Sequence, residues 1–211
     1  LNSGLFHSAL IDEVVALVKS LMGEFPQAPT GLIGYSMGGN FALRIAKQIP
    51  ELTTLAVCPA LSPEGTMLKI SGNIIYEQYF LRKWRNLWSK KQTAFPQHYN
   101  FSDAMNLSSI TSLTDYFVKY HTEYDNTDDY FAAYDLSSGG LEGVTAKILA
   151  AEDDPIIPAK DYANLPDSIS LDCVSRGGHG AFLENWQFES WCDRYSCAFF
   201  RHALTNERYP L

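Results

Sequence analysis

Apolar and polar positions follow two different spacings along the chain. Between His7 and Met22, apolar residues recur every three or four positions, which is typical of a helix with one buried face. Short runs that are apolar at nearly every position are typical of strands buried on both faces, as in a parallel sheet. These runs predict strands at Gly31–Tyr35, Leu52–Val57, Lys147–Ala151 and Ile169–Val174. Helical spacing and its breakers predict helices over His7–Met22, Gly38–Gln48, Pro158–Asn164 and Glu184–Ala203.

Strands that alternate with helices indicate an α/β fold with a mostly parallel sheet flanked by helices. The alternation stops between Pro63 and Gly140, where the chain is rich in aromatic residues and helical in pieces. We therefore predict one domain over residues 1–211 with a helical insertion at about 63–140. The insertion has two compatible interpretations: it packs on the edge of the sheet, or it forms a lid whose aromatic side chains contact substrate.

The most specific motif is Gly34-Tyr35-Ser36-Met37-Gly38, which follows a predicted strand and opens a predicted helix. In that context G-x-S-x-G is typical of a nucleophile elbow. The sharp reversal strains the backbone at Ser36, and we expect side chains at Gly34 and Gly38 to collide with the turn. We predict Ser36 as the nucleophile and the Met37 N–H as an oxyanion-hole donor at the helix N-terminus.

A serine hydroxyl needs a base, and the chain offers several histidines for this role. His179 lies in a Gly-rich loop between the last predicted strand and the last long helix. In this chain order of serine, acid and histidine the base belongs in that loop. We predict His179 as the base, assign His7 and His121 to the surface or the insertion, and place His202 in the terminal helix.

The acid of the constellation is expected just after the third predicted strand. Asp153 and Asp154 both stand there, on the edge of the sheet where ligands bind in open α/β folds. Asp154 directly precedes Pro155, the usual place of the acid in such a turn, and it is the favoured candidate. Asp153 remains the alternative, and the carboxylate not used would brace a turn or cap a helix.

Composition narrows the classes of function. The chain has 211 residues, 46% hydrophobic and 19% charged, as expected for a globular protein with a sizeable core. Its formal net charge of −8 argues against nucleic acid as the main partner. The cysteines Cys58, Cys173, Cys192 and Cys197 lack C-x-x-C or zinc-ligand spacing, so we interpret them as free thiols in a reducing, cytoplasmic setting. Neither a membrane-spanning stretch nor a secretory signal is visible in a sequence that begins at Leu1.

The motifs together resemble the α/β-hydrolase superfamily, and within it the YheT-like branch of esterases. The stretches that carry the resemblance are Gly34–Asn40, Ser112–Phe131, Asp153–Ile156 and Gly177–Gly180. The resemblance covers nearly the whole chain and keeps the motifs in the family's order. It implies Ser36, Asp154 and His179 as the catalytic residues. It also implies hydrolysis of carboxylic esters with short or medium acyl chains, without a metal or organic cofactor.

The sequence departs from the family's pattern at its N-terminus. Family members carry further strands before the segment that resembles Asn2–Asp12, and a loop there supplies the second oxyanion N–H. The sequence that begins at Leu1 has no counterpart of them, either because the chain is truncated or because it is part of a larger protein, and without them Met37 alone would serve the oxyanion. The loss of one such donor typically slows catalysis by about 10²–10³-fold.

Three further hypotheses accompany ester hydrolysis. A catalytically impaired chain would act as a binding or interaction module, and the same residues would also suit thioester, amide or C–C hydrolysis. Contact of Trp84, Trp88 and the nearby basic residues with a membrane surface is the third, set against an ordinary solvated helix face. The expected partner of the leading hypothesis is a small-molecule ester with an apolar acyl group.

Overall fold

The computed structural model describes residues 2–205 of the 211-residue chain. These residues form two compact units, each described by itself. The helical unit comprises residues 2–9 and 63–134, and the sheet unit comprises residues 10–62 and 135–205. In chain order the strands are β1 Gly31–Tyr35, β2 Thr53–Val57, β3 Ala146–Ala151 and β4 Ile169–Val174. The helices are α1 Asp12–Glu24, α2 Met37–Gln48, α3 Pro63–Ser71, α4 Ile74–Ala94, α5 Ile110–His121, α6 Thr127–Ala132 and α7 Trp191–Thr205.

The sheet unit is built on four parallel strands in the order β1-β2-β3-β4. Leu55 and Val57 of β2 are fully buried in a cluster that includes Tyr195 of α7. Leu32 of β1 packs instead into the cluster of α1 and α2, around Ile45. Since neighbouring side chains of a strand point to opposite faces, α7 covers one face of the sheet and α1 with α2 the other. The predicted α/β fold, a parallel sheet flanked by helices, is confirmed.

All four strands end at the same edge of this sheet. Tyr35 lies opposite Val57 and Val57 opposite Leu149, while Ala151 lies opposite Val174. Segments that leave the strands at this edge therefore start close to one another. This is the edge at which open parallel sheets bind ligands.

The helical unit has its own aromatic core. Trp88 of α4 is 3% exposed and stacks on Phe101 with 5.0 Å between ring centroids. Phe117 of α5 and the half-buried Trp84 join the same cluster. Trp88 is buried in this core, and the contact of the neighbouring residues with a membrane surface stays a prediction. Within residues 2–205, no helix combines the length and apolar character needed to cross a bilayer.

Two predicted helices differ from the structure for local reasons. The segment predicted as a helix over Pro158–Asn164 contains only a short 3-10 turn, Ala159–Tyr162, because prolines at 158 and 166 leave too few residues for a stable helix. The last helix begins at Trp191 rather than Glu184. The Asn185 side chain accepts the N–H groups of Gln187 and Glu189, a local turn that competes with helix formation.

The first helix begins at Asp12, five residues later than His7 where the pattern placed it. His7 is buried in the helical unit, with its ring edge-on to Phe117 and Tyr130. The Ser8 N–H donates to the Tyr130 hydroxyl at 3.1 Å. Residues before Asp12 are thus held by tertiary contacts, which override their helical spacing.

Candidate active site

Ser36 lies at the turn between β1 and α2, with φ 54° and ψ −120°. A serine rarely adopts a positive φ, so the backbone is strained at this residue. The strained turn is held by hydrogen bonds on both sides: Ser36 N–H donates to the Val57 carbonyl at 2.9 Å, and Ala60 N–H donates to the Ser36 carbonyl at 3.2 Å. The half-buried side chain therefore stands at the ligand-binding edge of the sheet.

The glycines beside Ser36 have unequal roles. A Cβ on Gly34 would overlap the backbone of Gly38, so only glycine fits at position 34. A Cβ on Gly39 would lie 2.9 Å from the Cβ of Pro59. A Cβ on Gly38 would meet nothing within 4 Å. The expected collision at Gly38 was therefore wrong, and the steric demand falls on Gly34 and Gly39.

Met37 is the first residue of α2. The Ser36 carbonyl accepts the N–H groups of Gly39, at 2.9 Å, and Asn40, at 3.2 Å. The Met37 N–H precedes these first bonds of the helix, and such N–H groups at a helix N-terminus favour anions. The backbone at Met37 thus has the chemistry expected of an oxyanion donor.

Asp154 and His179 form a direct pair. Asp154 Oδ2 lies 2.8 Å from His179 Nδ1, while Asp154 Oδ1 accepts the N–H groups of Ile156 at 2.7 Å and Ile157 at 2.9 Å. The Asp154 side chain is almost fully buried and that of His179 is 19% exposed. Burial opposes ionisation of Asp154, but the hydrogen bonds from His179, Ile157 and Ile156 outweigh it and hold its pKa below the ordinary value. The ionised carboxylate can only accept a hydrogen bond, so Nδ1 carries the ring proton and donates it to Asp154 in a hydrogen bond, which leaves Nε2 as the acceptor.

Asp153 makes a different contact from its neighbour. Its Oδ1 accepts the N–H groups of Gly177 and Gly178, each at 2.8 Å. These two hydrogen bonds lower the pKa of the Asp153 carboxyl. Asp153 therefore braces the backbone just before His179, whereas Asp154 meets the imidazole itself.

The His179 loop, residues 175–181, depends on glycines. Gly178 and Gly180 have φ of 58° and 80°, a region that favours glycine. A Cβ on Gly177 would lie 2.5 Å from the Phe182 ring. Within residues 2–205, the His179 ring is hydrogen-bonded to Asp154, but the Ser36 hydroxyl makes no hydrogen bond to that ring. Such bonds are often long in ligand-free enzymes and tighten on substrate binding.

Cys58 is a member of this site that the sequence analysis did not single out. It follows β2, has φ 44° and is 1% exposed. Its Sγ lies 3.8 Å from the Gly178 carbonyl, and Sγ, an Asp154 oxygen and a His179 nitrogen all lie within 4.8 Å of one another. Burial, and then the Asp154 charge, raise the pKa of the Cys58 thiol to about 12. The available signal was its position directly after a predicted strand, the same signal that indicated Asp154.

Comparison with known proteins supports the resemblance. The chain is 25% identical over 195 residues to the protein of Escherichia coli (strain K12) named "Putative esterase YheT", a match covering 85% of this chain and 56% of that protein. The chain thus spans about half the length of this curated relative. An α/β-fold family hydrolase from Bacillus anthracis str. Sterne matches 95% of the chain and 77% of its own length, with a TM-score of 0.56 and 16% identity. The chain has the α/β-hydrolase fold and is similar in sequence to YheT.

Other solved structures share this hydrolase fold at low identity. The Pyrococcus furiosus esterase Pf2001 matches 94% of the chain and 64% of its own length, with a TM-score of 0.51 and 14% identity. The meta-cleavage product hydrolase of Pseudomonas fluorescens IP01 matches 94% and 74%, with a TM-score of 0.52 and 16% identity. No protein-family model matches the chain.

Three of the other histidines belong to different parts of the fold. His7 and His121 are in the helical unit, and burial is the main cause that lowers the pKa of each. His202 lies on α7 and lines a cavity of about 790 Å³, together with Thr53, Ala146 and Ser170 at the beginnings of β2, β3 and β4. None of the candidate catalytic residues lines that cavity.

Proposed function

We propose that the chain is a serine hydrolase that cleaves small-molecule carboxylic esters of short or medium acyl chains through an acyl-enzyme on Ser36. The single observation that carries the proposal is the 2.8 Å contact between buried Asp154 and His179 Nδ1, beside a strained serine turn. An ionised carboxylate on Nδ1 is the arrangement that makes Nε2 a general base for a serine. The similarity to proteins named as esterases points to the same bond type.

The proposed reaction has two halves. His179 Nε2 takes the Ser36 hydroxyl proton as Oγ attacks the ester carbonyl, and the Met37 N–H donates to the resulting oxyanion. The tetrahedral intermediate collapses, and the imidazolium gives its proton to the leaving alcohol. Water, deprotonated by the same nitrogen, then attacks the acyl-enzyme and releases the carboxylic acid. Asp154 stays ionised throughout and stabilises the imidazolium.

We assign the acyl or alcohol pocket to the insertion at about residues 63–140 of a single hydrolase domain. Its helical unit exposes apolar side chains outside its own core, among them Leu68, Ile74 and Ile75. Such side chains suit an apolar acyl group rather than a charged one. A cytoplasmic location and a reaction without metal or organic cofactor complete the proposal.

A binding or interaction module is the second candidate. The observation in its favour is that the Ser36 hydroxyl is not hydrogen-bonded to the His179 ring among the described residues. In such a module the site would still hold a small molecule but would not form an acyl-enzyme.

Intact-mass labelling with a fluorophosphonate separates these candidates, because the reagent needs an activated serine. We expect one adduct per chain in the wild type and none in Ser36→Ala. Ser175→Ala is the matched control, since Ser175 is an exposed serine on the His179 loop. A folded wild-type chain that does not label, or a Ser36→Ala chain that still does, contradicts the proposal. If labelling succeeds, a panel of esters, thioesters and amides identifies the bond that is cleaved.

A further inference from the structure

The proposed reaction leaves one buried nucleophilic group of the site unused. The thiol of Cys58 is directed towards the Asp154–His179 pair, and the three ligand-type atoms lie within 4.8 Å of one another. Within residues 2–205, no other group of three His, Cys, Asp or Glu side chains comes together in this way. The cluster lies in the sheet unit, on loops that follow β2, β3 and β4.

The three atoms belong to the ligand set of thiophilic divalent cations. Thiolate sulfur, imidazole nitrogen and carboxylate oxygen all bind Zn²⁺, and soft cations favour the thiolate. With bonds of about 2.0–2.3 Å, a tetrahedral site holds its ligand atoms about 3.3–3.8 Å apart. Side-chain shifts of about 1 Å would bring the present atoms to that spacing. In sites with three protein ligands the fourth position is ordinarily filled by a water molecule.

We propose that Cys58, Asp154 and His179 form a binding site for a thiophilic divalent cation, Zn²⁺ or Cd²⁺, and that its occupancy shuts off the Ser36 chemistry. The binding half of the proposal stands on the cluster alone. The inhibitory half rests on the proposed function.

Protons and bonds balance without any change of oxidation state. The metal–sulfur bond forms as the Cys58 S–H proton passes to solvent. The metal also takes His179 Nδ1, so the hydrogen bond to Asp154 breaks and the Nδ1 proton is lost while Nε2 gains one. The ring stays neutral but now carries its proton on Nε2, where it cannot accept the proton of Ser36. One proton is released for each ion bound.

Cadmium titration tests the binding half directly. Cd²⁺ is added to the whole chain while the ultraviolet charge-transfer absorption of the cadmium–thiolate bond is followed, with calorimetry for the stoichiometry. The control variant carries Cys173→Ala and Cys197→Ala, which removes the two exposed thiols. We expect one tight site in the wild type and in the control, and loss of that site in Cys58→Ala. His179→Gln keeps the thiol and should weaken binding by at least about tenfold, because one ligand is lost.

Fluorophosphonate labelling with and without Zn²⁺ tests the inhibitory half. We expect saturating Zn²⁺ to abolish labelling of Ser36 in the control variant, and a chelator to restore it. Cd²⁺ binding of equal affinity in folded Cys58→Ala, or in His179→Gln, overturns the site. Binding that requires Cys58 but leaves labelling unchanged overturns the inhibition. A metal-free chain that does not label contradicts the proposed function, while the cadmium titration still decides the site.

Discussion

Replacing Asp154 with asparagine tests which of two adjacent carboxylates serves the histidine. Asparagine has the shape of aspartate, and its amide oxygen takes over the hydrogen bonds from the Ile156 and Ile157 N–H groups. These two donors fix the orientation of the amide, because in the flipped orientation its NH₂ group would face two N–H groups and could not bond to them. The NH₂ group then faces His179 Nδ1, which must become an acceptor.

The consequence is a change of histidine tautomer. With Nδ1 accepting, the ring proton moves to Nε2, and the base can no longer take a proton from Ser36. Replacement of the aspartate by asparagine in a serine–histidine–aspartate site lowers the catalytic rate by about 10⁴-fold. Because each factor of ten corresponds to about 1.36 kcal/mol, the loss is about 5.4 kcal/mol of transition-state stabilisation.

The assay is the rate of fluorophosphonate labelling of Asp154→Asn beside that of Asp153→Asn. Asp153 accepts backbone N–H groups of the His179 loop, and an amide oxygen at this position still accepts from them, more weakly. We expect Asp153→Asn to stay within about tenfold of the wild type. Equal unfolding midpoints of the two variants would show that both are folded. An Asp154→Asn rate close to the wild type, or a greater loss in Asp153→Asn, would refute the assignment.

Three further predictions concern the loops and the helical unit. Asp153→Ala removes the acceptor for two N–H groups and should slow labelling by about 10–100-fold, through misplacement of His179, with recovery in Asp153→Asn. Gly34→Ala should lower the free energy of unfolding by more than about 2 kcal/mol in urea titrations, whereas Gly38→Ala, whose Cβ meets open space inside a helix, should be neutral or stabilising. Burial lowers the pKa of His121 in the folded chain. Below the ordinary pKa of 6.5 the unfolded chain therefore binds a proton that the folded chain does not, and the free energy of unfolding should decrease as the pH decreases. His121→Phe should flatten that dependence in urea midpoints measured across this range, and His98→Gln at an exposed position should not; a slope unchanged by His121→Phe would contradict the prediction.

The sheet could be predicted from the sequence because its strands have few alternatives. An apolar run of five or six residues between turn signals is too short for a stable helix, and burial on both faces removes the polar positions that would obscure it. The helix limits were less predictable, because they depend on side chains that bind the backbone locally. Asn185 delays the start of α7, and ring contacts inside the helical unit, such as that with Tyr130, keep His7 out of α1. Neither effect is visible in the spacing of apolar residues along the sequence.

The candidate site was predictable where a backbone demand fixes the residue type. Ser36 and His179 stand among glycines that the turn and the loop require, so their motifs can be recognised without a structure. The division of roles between Asp153 and Asp154 has no such signal, since both carboxylates occupy one turn. Cys58 was missed because a buried cysteine after a strand is ordinarily a small apolar residue.

The two consecutive aspartates have different roles because their side chains leave the turn in different directions. Asp154 points inward, where three hydrogen-bond donors keep its carboxylate ionised beside the imidazole although burial opposes the charge. Asp153 points outward to the backbone of the loop that carries that imidazole. The same turn therefore fixes both the ring and the loop beneath it. A shift of the turn would move the ring and its loop together, so two coupled sets of hydrogen bonds, rather than one, hold the distance from Asp154 to His179.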